Sequence, residues 1–194
     1  MNGRRSIAQY RAVDLLMLAV ITAVFESIVV VAARRWFPNE PWAVSVTPAM
    51  TAIALMRWGP WGALHAALGG AVFCFMSHAR GTQYLIYVIG NLASLGALAL
   101  RGRWTPEGVR QSTTKTLLFT LAVTLLMQAG RAAAALLLGS PLTAAAGFFT
   151  TDVVTLLFTL VILWIARRLD GIFEDQKHYL LRLHEQEKEE RGGF

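Results

Sequence analysis

Glu26, Arg131 and Asp152 are charged residues set inside three separate apolar stretches of this 194-residue chain. Charge in hydrocarbon is costly, so such side chains face a bundle interior or an aqueous cavity and pair there, which makes the trio a candidate site. Two carboxylates against one guanidinium leave a surplus acid. Its partner is a hydroxyl, a proton, or the amine or ring nitrogen of a ligand, and the mix favours a ligand with both an acidic and a basic or donor-rich group. The competing reading is architectural: Arg131 bridges Glu26 or Asp152 and locks helices together, or snorkels outward.

These residues need helices long enough to carry them into a bilayer. The chain is 55% hydrophobic and 15% charged, with a mean hydropathy of +0.48, and its apolar runs approach spanning length. The reading is an all-α integral membrane protein with six transmembrane helices at 13–33, 44–57, 60–78, 83–100, 116–138 and 145–166. Separators are the run Arg34 to Pro41, Gly59-Pro60, Arg80-Gly81, the polar run 101–115, and Gly139-Ser140-Pro141. A short N-terminal segment, 1–12, precedes the membrane domain, 13–168, and a charged tail, 169–194, follows it. The first apolar stretch lacks a small-residue cleavage signal and reads as a retained helix. The single cysteine, Cys74, excludes an intramolecular disulfide and a thiol-rich metal site.

Orientation follows from Lys and Arg in the short loops. With the N-terminus inside, Arg4, Arg5, Arg11, Arg57, Arg101, Arg103, Arg110, Lys115, Arg167 and Arg168 are cytoplasmic, against Arg34, Arg35 and Arg80 outside. Both termini are therefore expected in the cytoplasm of a plasma-membrane protein, and the formal charge of +6 needs no nucleic acid to explain it.

Depth then groups the polar residues. Glu26 lies 8 positions before Arg34 and Arg131 lies 8 before Gly139, about 12 Å below their outer helix ends. Asn91, 8 positions after Gln83, reaches about 12 Å, and Asp152, 7 after Ala145, about 10 Å. Four polar groups from four helices share one outer layer, as an outward-opening cavity requires. Gln128 sits one turn from Arg131, and Thr151, Thr155 and Thr159 accompany Asp152; they extend the lining or act as interhelical hydrogen-bond glue. Tyr84, Tyr87, His78, Trp36 and Trp42 lie at the outer boundary as an interfacial belt, with Trp36, Phe37 and Trp42 as a candidate lid. His65 reads as a packing histidine, and Asp14 as complementing the helix dipole.

Small residues mark close-approach faces: Ala8 with Ala12 and Ala19 with Ala23 on the first helix, and Gly62, Ala66 and Gly70 on the third. Beyond Arg168, Leu169, Ile172, Phe173, Leu180 and Leu183 fall on one face of a cytoplasmic amphipathic helix continuing from the last span. From Arg167 onward 6 basic residues meet 7 acidic ones, which favours a protein partner or a solvated extension over a lipid anchor. No phosphate loop, zinc-protease helix or esterase elbow occurs in the sequence, and no cofactor or metal is expected.

Six short helices, an outward polar layer, the Ala-x-x-x-Ala pair and the segment Met56-Arg57-Trp58-Gly59-Pro60-Trp61-Gly62-Ala63-Leu64 followed by Ala66-Ala67-Leu68-Gly69-Gly70 resemble the substrate-binding S component of energy-coupling factor transporters. The resemblance covers about residues 8–168 and implies a vitamin-like micronutrient bound from outside. Delivery would use a transmembrane coupling subunit and a pair of ATPases, with no intrinsic ATPase in this chain. It implies Glu26, Asn91, Gln128, Arg131 and Asp152 as ligand contacts, and Ala19 and Ala23, or Ala8 and Ala12, as the coupling-subunit contact. A structural protein of the cell-shape machinery, similar to the MreD family, is the alternative. A membrane-embedded enzyme or proton-coupled carrier is a third.

Overall fold

The computed structural model describes residues 6–40, 42–169 and 171–192. Arg4 and Arg5 of the loop charge count, Pro41 of the first separator and Asp170 of the tail lie outside the described residues.

Helix α1 spans Ile7–Trp36 and begins earlier than expected because Ser6 and Gln9 form a capping box that starts it six residues ahead of the apolar run. Residues 7–12 of the segment 1–12 therefore form the first turns of α1. Helix α2, Thr47–Trp58, begins three residues later than expected, because residues 42–45 are extended and Pro48 fixes the first turn. It is 12 residues long, about 18 Å, and every residue in it except Arg57 is buried. A turn at Gly59–Gly62 then reverses the chain into α3, Ala63–Met76. A Cβ on Gly62 would stand 2.5 Å from the Leu55 nitrogen, so only glycine lets this hairpin close.

The remaining elements are α4 (Gly81–Asn91), a 3-10 stretch at 92–97, α5 (Leu98–Arg103), α6 (Pro106–Gln111), α7 (Thr113–Leu137), α8 (Leu142–Thr151), α9 (Val153–Ala166) and α10 (Gln176–Gly192). Two expected helices are thus interrupted: the fourth at 92–97 and the sixth at Asp152. The polar run 101–115 contains α6, capped by Thr105. Five helical stretches are long and apolar enough to cross a membrane, namely Ile7–Trp36, Thr47–Met76, Gly81–Arg103, Thr113–Leu137 and Leu142–Ala166. The second of these is the α2–α3 hairpin.

Side-chain contacts give the directions. Asp14 meets the end of α2, and Glu26 meets its start, so α1 and α2 run antiparallel. The separation of 12 positions between those carboxylates corresponds to about 18 Å, the length of α2 itself. His65 lies at Leu15, and Met76 at Arg34, so α1 and α3 run parallel. Leu180 packs on Leu15 and Trp58, which puts the start of α10 at the same end of the bundle as the first turns of α1, the near end. The core surrounds α2: Ala49, Ile53 and Met56 pack with Phe119, Val123 and Met127 of α7 and Leu163 of α9. Outside it, α1 exposes Leu16, Met17, Val20, Val24, Phe25 and Ile28, an apolar flank suited to lipid.

The tail departs from the expected continuous helix. The chain leaves α9 at Ala166, turns through Gly171 at φ 75°, and only re-enters helix at Gln176. Phe173 and Leu180 are buried against the bundle, whereas Leu169 and Leu183 are exposed, so the predicted single apolar face does not form.

Candidate functional site

The polar layer assembles around Arg131, and glycine brings it there. Helices α4 and α7 cross where Gly90 faces Gly130; a Cβ on Gly90 would stand 2.6 Å from the Arg131 Cα. That approach sets Asn91 beside Arg131, whose Nε donates to Asn91 Oδ1 at 2.7 Å. Arg131 Nη1 donates to Asp152 Oδ2 at 2.5 Å, and its guanidinium lies 4.8 Å from the centre of the Tyr87 ring. Asn91 Nδ2 completes the chain by donating to the Ala66 carbonyl at 3.0 Å. Arg131, Asp152 and Asn91 are all buried, the last completely. A buried ion pair stands only where further hydrogen bonds satisfy it, and here an amide and an aromatic face supply them.

Glu26 belongs to a different network. Its Oε2 accepts from the backbone N–H groups of Val46 and Thr47 and from the Thr47 hydroxyl, each at 2.9 Å. It caps the N-terminus of α2, where orphan N–H groups and the helix dipole favour an anion. The surplus acid of the sequence reading thus finds its partner inside the protein, while Oε1 is buried without one. The expected single trio is two adjacent clusters. Gln128 is buried on α7 but does not line the chamber beside Arg131. Thr159 bonds back to the Thr155 carbonyl and Thr151 to that of Gly147, whereas Thr155 donates across to Ala43.

That last bond explains the break at Asp152. The Ala43 N–H donates to the Thr151 carbonyl at 3.0 Å while the Ala43 carbonyl accepts from Thr155 at 2.9 Å. The extended segment 42–45 is stitched across the α8–α9 junction, and the Thr151 carbonyl serves the loop. Asp152 at the break points to Arg131.

Between these clusters lies a chamber of only about 10 Å3, lined by Ser45, Thr47, Tyr87, Asn91, Arg131 and Asp152 among others, room for about one water molecule. Above it, sharing Ala43 and Phe73, opens a vestibule of about 290 Å3 walled by Arg34, Phe37, Glu40, Trp42 and Ser77. Phe37 and Trp42 pack with ring centres 4.8 Å apart, and Trp42 Nε1 donates to Glu40. Phe37 and Trp42 therefore stand where a lid was expected. Trp36, 73% exposed, and His78, also exposed, lie outside this wall.

Sequence reasoning missed five contributors. Tyr87 was assigned to the interfacial belt, although its i,i+4 spacing from Asn91 put both on one face of α4. Ser45 and Thr47 precede Pro48 as a helix-start signal. Gly90 and Gly130 carry no signal until α4 and α7 are seen to cross. Asp14 also does more than complement a dipole: it accepts from Arg57 Nε and Nη2 at 2.8 and 2.7 Å and from Trp58 Nε1 at 2.5 Å.

The small-residue faces divide. Ala66 and Gly70 of α3 are internal, Gly70 against Tyr87 and Asn91. Ala8, Ala12 and Ala19 line an open groove of about 510 Å3 with Trp61, Leu64 and His65, and Ala23 stands apart from it. Among the described residues no His, Cys, Asp and Glu side chains group as a metal site.

Comparison with protein-family models, curated proteins and solved structures finds no match to the chain. Its fold and apolar exterior are consistent with a helical multi-pass membrane protein.

Proposed function

We propose that this chain is the substrate-binding subunit of an energy-coupling-factor importer, taking a small vitamin-like micronutrient from outside the plasma membrane. The observation that carries the reading is the buried Asn91–Arg131–Asp152 cluster directly beneath an aromatic-walled vestibule at the far end of the bundle. A structural ion pair needs no mouth above it. A solute with an acidic group and a donor can exchange with the internal pair: its acid takes the Arg131 guanidinium and its donor takes the Asp152 carboxylate, so neither charge is left bare. The one-water chamber is the closed form, and segment 42–46 with Trp42 is the lid. In this reading the α2–α3 hairpin supplies two of six crossings, and both ends of the chain lie in the cytoplasm. The Ala8–Ala12–Ala19 groove receives the coupling subunit, and ATPase subunits supply the energy.

A second reading, a structural membrane protein similar to the MreD family, is favoured by one observation: the Asn91–Arg131–Asp152 cluster is already paired without a ligand. One experiment separates the two. Purified protein is heated with a panel of vitamins, nucleobases and their precursors, alongside Arg131→Met and Asp152→Asn variants. Stabilisation by one compound, lost in variants that still fold, supports solute binding. No stabilisation across the panel, with variants that misfold, supports the structural reading.

A further inference from the structure

At the near end, the turn Trp58–Gly59–Pro60–Trp61 and the start of α10 enclose a cleft of about 310 Å3. Its walls carry Arg11, Arg57, Arg101, Lys177 and His178, with Asp175 as the one carboxylate among the lining residues. We propose that this cleft binds a phosphate-bearing anion, either free phosphate or the phosphate of an anionic lipid headgroup.

Charge and geometry both point there. Asp14 pairs with Arg57 and Asp175 with Arg101, which leaves two of the four permanent cations, Arg11 and Lys177, without an offsetting carboxylate among the described residues. The two paired guanidiniums are held in place. Arg57 is fixed by Asp14 and by its Nη1 bond to the Gly171 carbonyl at 2.5 Å, and Arg101 by Asp175 at 2.6 Å and the Met56 carbonyl. A guanidinium has five N–H donors, so each retains donors for a further acceptor, and a fixed planar fork suits phosphate. Arg11 is stacked 4.3 Å from the Trp61 ring at the rim, and Lys177 is exposed. Trp61, exposed at the rim, presents an indole ring of the kind that settles at headgroup depth, which suits the lipid source. Because Arg11, Arg57 and Arg101 belong to the bundle and Lys177 and His178 to the tail, a bound phosphate closes one against the other. The cleft shares Arg11 and Trp61 with the Ala8–Ala12–Ala19 groove but no lining residue with the far-end vestibule, so it does not depend on the solute-binding reading there.

The test uses the full-length protein in detergent and reads Tm during two titrations. One adds inorganic phosphate against chloride at constant ionic strength; the other adds phosphatidylglycerol against phosphatidylcholine in mixed micelles. The expected result is a saturable rise of several degrees, as ligand binding to the folded state requires. A rise with phosphate names the free anion, and a rise with phosphatidylglycerol alone names the headgroup. In the double variant Arg11→Gln, Lys177→Gln, whose side chains form none of the ion pairs above, half-saturation should move up about tenfold. If the double variant starts from a lower Tm, Lys177→Gln alone carries the comparison. No saturable rise with either probe, or a variant that responds as the wild type does, overturns the proposal.

Discussion

Arg131 is the residue on which the polar layer depends, because its guanidinium satisfies Asp152 and Asn91 at once. Replacing it with methionine strands a carboxylate that is 2% exposed, and breaking one partner of a buried pair costs about 3–5 kcal/mol. The double change Arg131→Met, Asp152→Leu removes both charges and should recover most of that stability, since an apolar pair of similar volume is tolerated at such sites. Thermal unfolding measures this, and a double variant that folds yet binds no solute would assign the pair to recognition as well as packing. Glu26 should behave differently. Glu26→Gln keeps an oxygen for the Val46 and Thr47 N–H groups and loses only the charge at the α2 N-terminus, a change of about 1 kcal/mol. Its solute affinity should match the wild type's. A Glu26→Gln protein that is as stable as the wild type but binds at least tenfold more weakly would move Glu26 into the site.

At the scale of elements, the crossing of α4 and α7 decides whether Asn91 reaches Arg131. Gly90→Ala puts a methyl group on the Arg131 backbone, and overpacking of this kind costs about 1–3 kcal/mol. The expected outcome is a lowered Tm together with weakened solute binding; an unchanged Tm would mean that the helices separate freely and that the crossing is not tight. Much of this arrangement was legible in the sequence. Counting helical rise from the outer ends brought Arg131, Asp152 and Asn91 to one depth, and they do meet. Depth fixes height along a helix but not rotation about it, so Glu26 was grouped with Arg131 although it faces the start of α2. The interruptions at 92–97 and Asp152 were illegible for another reason. Thr151-Asp152-Val153 contains no proline or glycine, and the break coincides with a carbonyl taken by Ala43, more than 100 residues earlier in the chain. The tail was misread because periodicity marks apolar positions without showing that Gly171 turns the chain back.

Taken whole, the molecule is asymmetric: the far end holds a vestibule above the polar cluster, while at the near end the returning tail packs on the bundle and walls the basic cleft. Burial raises the Asp175 carboxyl, but hydrogen bonds from His178 and the charge of Arg101 outweigh that and hold it below the usual carboxylate range. A pKa lower in the folded state stabilises above the unfolded value and loses that contribution as pH falls through the folded one. Docking of the tail should therefore be complete above about pH 4 and weaken in stronger acid. Spin labels at residues 61 and 183 report it as a distance, which should lengthen below that pH in the wild type; in Asp175→Asn it should already be long at neutral pH. A distance unchanged through the acid range would remove Asp175 from the contact. The clasp between α1 and α2 has a mechanical consequence. Asp14 holds one end of α2 and Glu26 the other, so a slip of one residue, about 1.5 Å, would break both grips together. These two helices must travel as a rigid body, and any opening toward Arg131 has to occur between that body and α4, α7, α8 and α9. Segment 42–46, tied to Glu26 on one side and to Thr151 and Thr155 on the other, bridges the two bodies, so as a lid it can lift only by letting go of one of them.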